Sequence, residues 1–408
     1  MTRRALLSAP RFRLFWASIA VSSSGDQFFT VALPWLVLEL AGSDVALGSI
    51  LMTAALPRAA FMLAGGALSD RVAPARVLLF ANMLRALMVG AVAALAIAGR
   101  VQLWHLYPLA VAFGVLGALS GPASAALLPR VTPHGQLTAA NGLVQGTAQV
   151  GAMVTPAPAG ALIAAAGVGS ALSVSAAASA LAGTALAFIP RVGSDPPDGE
   201  DDALRSGAAR ALPGSALQVV RDLLRDPPLR AYLVLLAALS LAMSGPLAVG
   251  IPSLARTRFA GSVSFGFMLS ASGAGTLVGA LIAGSRRRVR HRGRVLLAVN
   301  VLIGVLMVLL GYAPTAAVAS LIIATMACAS TFMNVIATAS LQAQADRAIL
   351  GRVMSVVMLA SIGLAPLSYL LAGFLSAVDP VLLFGAAGAV VIAATAHAAS
   401  SRALRQLD

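Results

Sequence analysis

The chain is poor in charged residues, and it has almost no cysteine and no lysine. Only 10% of its 408 residues are charged, and all 28 basic residues are arginine. The single cysteine, Cys328, cannot form an internal disulfide or a thiolate metal cluster. No Gly-x-x-x-x-Gly-Lys sequence occurs, so the chain lacks the phosphate-binding loop with which many proteins use ATP.

Apolar residues take the place of the missing charges. They make up 59% of the chain, the mean hydropathy is +0.91, and they form runs of about twenty residues. At 1.5 Å per helical residue, such a run matches the ~30 Å hydrocarbon core of a bilayer. We predict twelve membrane spans, over residues 14–38, 45–68, 76–98, 104–127, 137–165, 168–189, 230–254, 263–284, 294–312, 315–340, 352–376 and 380–399.

The first span has an alternative interpretation. Four arginines within the first thirteen residues precede the apolar stretch 14–22, as in a cleaved secretory signal. We favour a first helix that is retained in the mature protein, because the predicted number of spans is then even, at twelve.

Arginine marks one side of the predicted membrane. With both termini in the cytoplasm, 23 arginines lie on the inner side, three on the outer side, and two, Arg58 and Arg85, inside spans. Because basic loops stay in the cytoplasm, this orientation is strongly favoured. The net charge of +14 is therefore a topology signal and does not indicate nucleic-acid binding. We expect a multi-pass protein of the cell (inner) membrane.

A polar stretch divides the spans into six and six. We predict an N-terminal six-helix half over residues 1–190, a cytoplasmic loop over 191–229, and a C-terminal half with a short cytoplasmic tail over 230–408. The expected fold is an all-α membrane protein with two pseudo-symmetric halves. Transporters built from such repeats bind their substrate at mid-membrane between the repeats.

The loop between the second and third spans carries a charged motif. Residues 65–78 read GGALSDRVAPARVL. They resemble the signature loop of the major facilitator superfamily, Gly-x-Leu-Ala-Asp-Arg-x-Gly-Arg-(Arg/Lys)-x-x-Leu. Matches fall at Gly66, Leu68, Asp70, Arg71 and Leu78. An ordinary turn with positive-inside charges is the alternative interpretation.

The resemblance implies a conformational latch at this loop. In the family the aspartate meets the cytoplasmic N-terminus of helix 11, where unpaired N–H groups and the helix dipole favour an anion. Here that terminus contains Gly351 and Arg352, and Arg352 would add a charge-assisted bond. The signature's usual glycine and basic pair are replaced by residues 73–75, while Arg76 supplies one cation slightly later. We therefore expect the latch to depend mainly on Asp70.

A second resemblance lies in the fifth span. Exporters of this superfamily carry the pattern Gly-x8-Gly-x3-Gly-Pro-x2-Gly-Gly, and Gly142, Gly151, Pro156 and Gly160 fall on it in register. Small residues at this spacing let a helix approach its neighbour, and the proline bends it. Generic small-residue packing is the alternative.

Shorter stretches narrow the resemblance to one branch, the enterobactin exporters and macrolide efflux proteins. They lie at residues 11–16, 25–26, 32–35, 56–58, 139–142 and 351–355, the last of these followed by Pro366.

Three charges lie at similar depth in the membrane. Asp26 is the only acidic residue well inside a span, and Arg58 and Arg85 lie at about its level in the next two spans. A carboxylate at this depth costs roughly 2.5 to 3.5 kcal/mol on insertion scales, so it needs a partner, water or a proton. We predict that Asp26 binds the coupling proton, with Arg58 or Arg85 as its counter-charge. A purely structural ion pair is the alternative.

The fourth span lacks the arginine that many drug–proton antiporters carry there, since residues 110–126 contain no charge. A proton relay through that span is therefore not expected, and coupling to the membrane potential or another ion stays open.

Polar and adaptable apolar side chains at mid-span are candidates for a substrate cavity. Methionine and aromatic side chains suit a pocket for varied amphipathic molecules. We predict Gln27, Phe28, Asn82, Gln145, Gln149, Met153, Met243, Phe332, Met333 and Asn334 as its lining, and interpret Ser330 as a packing or hinge residue.

The sequence thus predicts a proton-coupled exporter (antiporter) of small amphipathic compounds such as antibiotics, toxic metabolites or siderophores. Nutrient uptake, and a membrane sensor or scaffold, are the alternatives. Catalysis is not expected, because Asp26 has no acidic or histidine neighbour at helical spacing. We expect no metal or cofactor, protons as coupling ion, a lipid bilayer as surroundings and a monomer.

Overall fold

The computed structural model describes residues 3–64, 73–133, 135–189, 227–259, 261–285, 292–344 and 363–400. Every regular element within these ranges is helical. The long helices are α1 Pro10–Ala41, α2 Asp44–Ala64, α3 Pro74–Ile97, α4 Leu106–Val131, α5 Leu137–Val154 continued by Pro156–Ala166, α6 Val168–Ala187, α7 Pro227–Gly245 continued through Pro246–Gly250 to Ile251–Arg258, α8 Ser262–Ser285, α9 Arg292–Gly311, α10 Ala316–Gln344, α11 Ala365–Val378 and α12 Pro380–Ser400. A short helix, Arg3–Ser8, precedes α1.

These helices confirm the predicted all-helical membrane fold. Ten of them are long and apolar enough to cross a bilayer, counted over the described residues. The two others are α1, whose apolar course is interrupted by the polar run at residues 22–27, and α11, of which the structure describes only Ala365–Val378.

Local sequence explains where several helices begin, end or change form. Pro74 opens α3, where a missing N–H costs nothing, and α1 stops at Gly42, whose φ of 60° places it in the left-handed region. Pro156 divides α5 into two segments, in keeping with the bend predicted there. In α7 the stretch Pro246–Gly250 is a π-helical turn that begins with a proline.

The chain forms two compact units. The first contains Met1–Gly42, Thr53–Asp198 and Ala260–Ser270, and the second contains Ser43–Met52, Gly199–Phe259 and Ala271–Asp408. The start of α2 belongs to the second unit because Gly48 packs on α11: a Cβ there would lie 2.5 Å from the Tyr369 carbonyl oxygen and 3.2 Å from Gly373 Cα. The start of α8 belongs to the first unit through its contact with α5, described below. The predicted boundary at residue 190 lies outside the described residues.

Both units contain the same packing scheme. In the first, α6 packs along α3 and α1, and in the second, α12 packs along α9 and α7. Each member of the second set lies six helices after its counterpart. This correspondence is the structural form of the predicted repeat.

Candidate functional site

The centre of the first unit holds an ion pair between α1 and α3. Gly25 lies against α6, because a Cβ there would be 2.7 Å from Ala178 Cβ, and this contact fixes the rotation of α1. The next residue, Asp26, then faces α3. Arg85 Nη1 lies 3.3 Å from Asp26 Oδ1 and 3.4 Å from Oδ2. The Arg85 side chain is 10% exposed and that of Asp26 is 43% exposed.

The contact between Arg85 and Asp26 is longer than in a bidentate arginine–carboxylate pair, in which two guanidinium nitrogens each bond one oxygen. One guanidinium nitrogen serves both oxygens, and both distances exceed the 2.7–2.9 Å typical of charge-assisted bonds. Arg85 Nε is buried and has no hydrogen-bond partner among the residues that the structure describes. The contact is therefore one that protonation of Asp26 can break at modest cost.

Aromatic rings complete the surroundings of Arg85. Its guanidinium carbon lies 5.3 Å from the centre of the Phe113 ring of α4, within cation–π range. Phe113 stacks on Phe29 of α1, with ring centres 3.9 Å apart and planes 9° apart. Arg85 therefore keeps a favourable contact when Asp26 is neutral.

A hydrogen bond one turn away aligns α1 with α3. Ser22 Oγ donates to Asn82 Oδ1 at 2.9 Å, and Asn82 Nδ2 donates to the Leu78 carbonyl at 2.9 Å. Ser22 precedes Asp26 by four residues and Asn82 precedes Arg85 by three, so both pairs lie on the same helix faces. Asn82, predicted to line a cavity, is thus a buried packing residue.

Of the two candidate counter-charges, the structure places Arg85 beside Asp26. Arg58, on α2, has an exposed side chain, and among the described residues Arg85 is the cation in contact with Asp26. The backbones of α2 and α4 meet next to Arg58, where a Cβ on Gly114 would overlap the Ala54 carbonyl oxygen.

Most of the predicted latch lies outside the described residues, namely Gly66, Asp70, Arg71, Gly351 and Arg352. Arg76 is described, and its side chain is exposed in the first turn of α3. The latch stays a prediction.

The residues of the exporter-like pattern on α5 differ in the atoms that surround them. Gly160 meets α8: a Cβ there would overlap the Ser262 carbonyl oxygen and lie 3.1 Å from Gly266 Cα. Gly151 faces α1, with the Ser23 and Ser24 hydroxyls 3.9 Å from such a Cβ, whereas at Gly142 no neighbouring atom of the described residues lies within 4 Å. After the break before Pro156, the Ala157 N–H donates to Ser270 Oγ at 3.0 Å.

The remaining cavity candidates differ in exposure. Gln27 and Phe28 on α1, Gln149 and Met153 on α5, and Phe332 and Met333 on α10 are half-buried, whereas Gln145 and Asn334 are exposed. Asn334 Oδ1 accepts a hydrogen bond from Thr338.

The second unit contains a cavity of about 190 Å³ between α7, α8 and α10. Its lining includes Met243, Ser272, Thr276, Ser330 and Thr331. Sequence reasoning identified Met243 and assigned Ser330 to packing, but it missed the other hydroxyls, because serine and threonine in a membrane helix usually bond their own backbone.

Sequence reasoning also missed Asp44, the first residue of α2. Its Oδ2 accepts hydrogen bonds from Ser253 of α7 at 2.6 Å and from Ser376 of α11 at 2.5 Å. An acid at a helix N-terminus is common, so its position gave no signal of these bonds.

No group of three histidine, cysteine, aspartate or glutamate side chains suited to a metal ion occurs within the described ranges.

Known proteins share this sequence pattern and architecture. The family model described as Major Facilitator Superfamily matches residues 15–361. The Multidrug efflux pump Tap of Mycolicibacterium fortuitum is 27% identical over 394 residues, covering 92% of this chain and 94% of that protein.

Solved structures of transporters share the fold at low identity. A POT family transporter in complex with a thioalcohol-conjugated peptide superposes with a TM-score of 0.70 at 14% identity, covering 95% of this chain and 94% of its own. The nucleoside transporter NupG superposes with a TM-score of 0.70 at 11% identity, covering 97% and 98%.

Proposed function

This chain belongs to the Major Facilitator Superfamily, and we propose that within this family of membrane transporters it is a proton-coupled exporter of small amphipathic compounds. It is a multi-pass transport protein and not an enzyme. The proposal places it in the cell membrane with both termini in the cytoplasm, working as a monomer by alternating access.

The observation that carries the proposal is the loose Asp26–Arg85 pair. When Asp26 is ionised, the pair is neutral overall and Arg85 is held toward α1. When Asp26 takes a proton, the attraction is lost and the cation is left on the Phe113 ring. One proton thus changes both the charge of the site and the contact between α1 and α3, which is what coupling requires.

Two observations support export over uptake. The chain is similar to a protein named as a multidrug efflux pump along nearly its whole length. The α5 pattern resembles that of exporters, and Gly160 lies at a close helix contact. Uptake is the second candidate, because proteins of the same fold include a transporter crystallised with a peptide and a nucleoside transporter.

The first step of the test is to find a transported compound. The chain is expressed in a bacterium lacking its own efflux pumps, and antibiotics and dyes are screened for raised tolerance. A compound found in this way is then followed in inside-out vesicles with an imposed pH gradient, where export appears as accumulation.

We expect Asp26→Asn to bind this compound with unchanged affinity but to lose accumulation driven by the pH gradient, at least tenfold. Glu39→Gln is the matched control on α1: its amide oxygen can still accept the 2.6 Å bond from Trp35 Nε1, and transport should persist. Accumulation by Asp26→Asn equal to that of the wild type would show that this proton site is wrong.

A further inference from the structure

The cavity of the second unit has an uncharged, hydrogen-bonding lining. Four hydroxyls, those of Ser272, Thr276, Ser330 and Thr331, share it with the thioether of Met243. Of the described residues that line the cavity, none has an ionisable side chain. An ionic group placed there would lose hydration without gaining a counter-charge, so the lining disfavours it.

The hydroxyls have bonding capacity to spare. Thr276 Oγ1 donates to the Ser272 carbonyl at 3.0 Å, which leaves its lone pairs as acceptors. Within the described part of the chain, the hydroxyls of Ser272, Ser330 and Thr331 make no hydrogen bond. Each can donate to and accept from a bound molecule, and methionine adapts to varied apolar shapes.

The α7 wall of the cavity adjoins a break in the helix. In a regular helix the Gly245 N–H would bond the Leu241 carbonyl. Instead, Ser368 Oγ of α11 accepts from the Gly245 N–H at 2.7 Å and donates to the Leu241 carbonyl at 2.5 Å. A side chain inserted into the ladder, followed by Pro246 and a π-helical turn, is a recognised cause of a bend.

The cavity lies against this break. Met243 and Leu247, four residues apart on one face of α7, lie on either side of it and both line the cavity. Single π-helical turns inside α-helices occur frequently at functional sites. The break and the unpaired hydroxyls are independent features that coincide in one place.

We propose that this cavity binds the uncharged, hydrogen-bonding part of the transported compound, a group bearing hydroxyl, amide or ether functions. The inference rests on the proposed export function and adds the class of group that the second unit recognises. At about 190 Å³ the cavity is smaller than the ~300 Å³ lower limit of pockets that enclose whole drug-sized ligands, so it takes part of the molecule.

The test measures binding to the full chain in lipid nanodiscs. The probe is radiolabelled chloramphenicol, which is uncharged and carries two hydroxyls and an amide. Tetraphenylphosphonium, a cation without hydrogen-bonding groups, is the comparison. We expect saturable chloramphenicol binding that weakens about tenfold in Ser330→Ala/Thr331→Val, from loss of two hydrogen bonds, with less than twofold change for the cation.

Two variants separate this effect from misfolding. Thr331→Ser keeps the hydroxyl and should bind chloramphenicol as the wild type does. Thr325→Val removes a hydroxyl from the exposed face of α10, where Thr325 bonds the Leu321 carbonyl at 2.8 Å, and should have no effect. Absence of saturable binding, or unchanged affinity in Ser330→Ala/Thr331→Val, would overturn the site.

Failure of the site and failure of the export function give different results. If binding depends on the hydroxyls but no compound moves with the pH gradient, the export proposal fails and the site stands. If gradient-driven export occurs but the hydroxyl variants bind chloramphenicol normally, the site fails and the export proposal stands.

Discussion

Arg85 is held by two partners of different kinds, a carboxylate and an aromatic ring. The ring contact does not involve the Asp26 carboxylate, so under the proposed mechanism it is kept when Asp26 takes a proton. Counting residues along each helix gave the depth of Asp26, Arg58 and Arg85, but not which helices are neighbours. The sequence therefore left two candidate counter-charges, and the packing of α1 and α3 along α6 is what brings Arg85 to Asp26.

We expect Arg85→Gln to lower the free energy of unfolding by about 1–3 kcal/mol, because Asp26 is left half-buried with no cation. Asp26→Asn/Arg85→Gln should recover part of this loss, since neither charge remains. Thermal melting of the purified chain in detergent measures both. Strictly additive effects of the two substitutions would mean that the residues do not interact.

At the scale of elements, the contact between α5 and α8 depends on the absence of side chains. Gly160 and Gly266 bring the two backbones together, and Ser262 Oγ donates to the Gly160 carbonyl at 3.1 Å. The exporter-like pattern indicated a close approach somewhere along α5. The pattern did not distinguish Gly142 from Gly160. The structure does, because α8 packs against Gly160.

We expect Gly160→Ala to destabilise the chain by about 1–3 kcal/mol, because its new methyl group meets rigid backbone atoms of α8. Gly142→Ala is the matched control: it adds the same methyl to the same helix, at a place where no neighbouring atom of the described residues lies within 4 Å, and should melt like the wild type. Equal melting temperatures for both variants would contradict the α5–α8 contact.

For the whole molecule, the orientation in the membrane is still a prediction from arginine counting. It is testable because the chain has one cysteine, which Cys328→Ala removes. In that background, Arg100→Cys should react in intact cells with a membrane-impermeant maleimide, since it lies at an exposed position after α3 and on the predicted outer side. Arg76→Cys, equally exposed but on the predicted inner side, should react only after the membrane is opened. The reverse pattern would invert the topology.

The two units are equivalent in packing but not in chemistry. The first contains the Asp26–Arg85 pair, and the second contains an uncharged cavity lined by hydroxyls. Under the two proposals, one unit responds to the proton and the other holds the compound. The two binding and transport experiments above examine each unit separately.

The sequence by itself determined the all-helical membrane fold, the spacing of its spans and the family, because apolar runs of bilayer length and the charged loop at 65–78 are local features. Only the tertiary structure decided which polar groups meet: Asp26 with Arg85, Asp44 with Ser253 and Ser376, and Ser368 with the break in α7. The reason is that lipid tails are as apolar as helix side chains. Hydropathy therefore shows that a helix lies in the membrane, but not which of its faces touches protein.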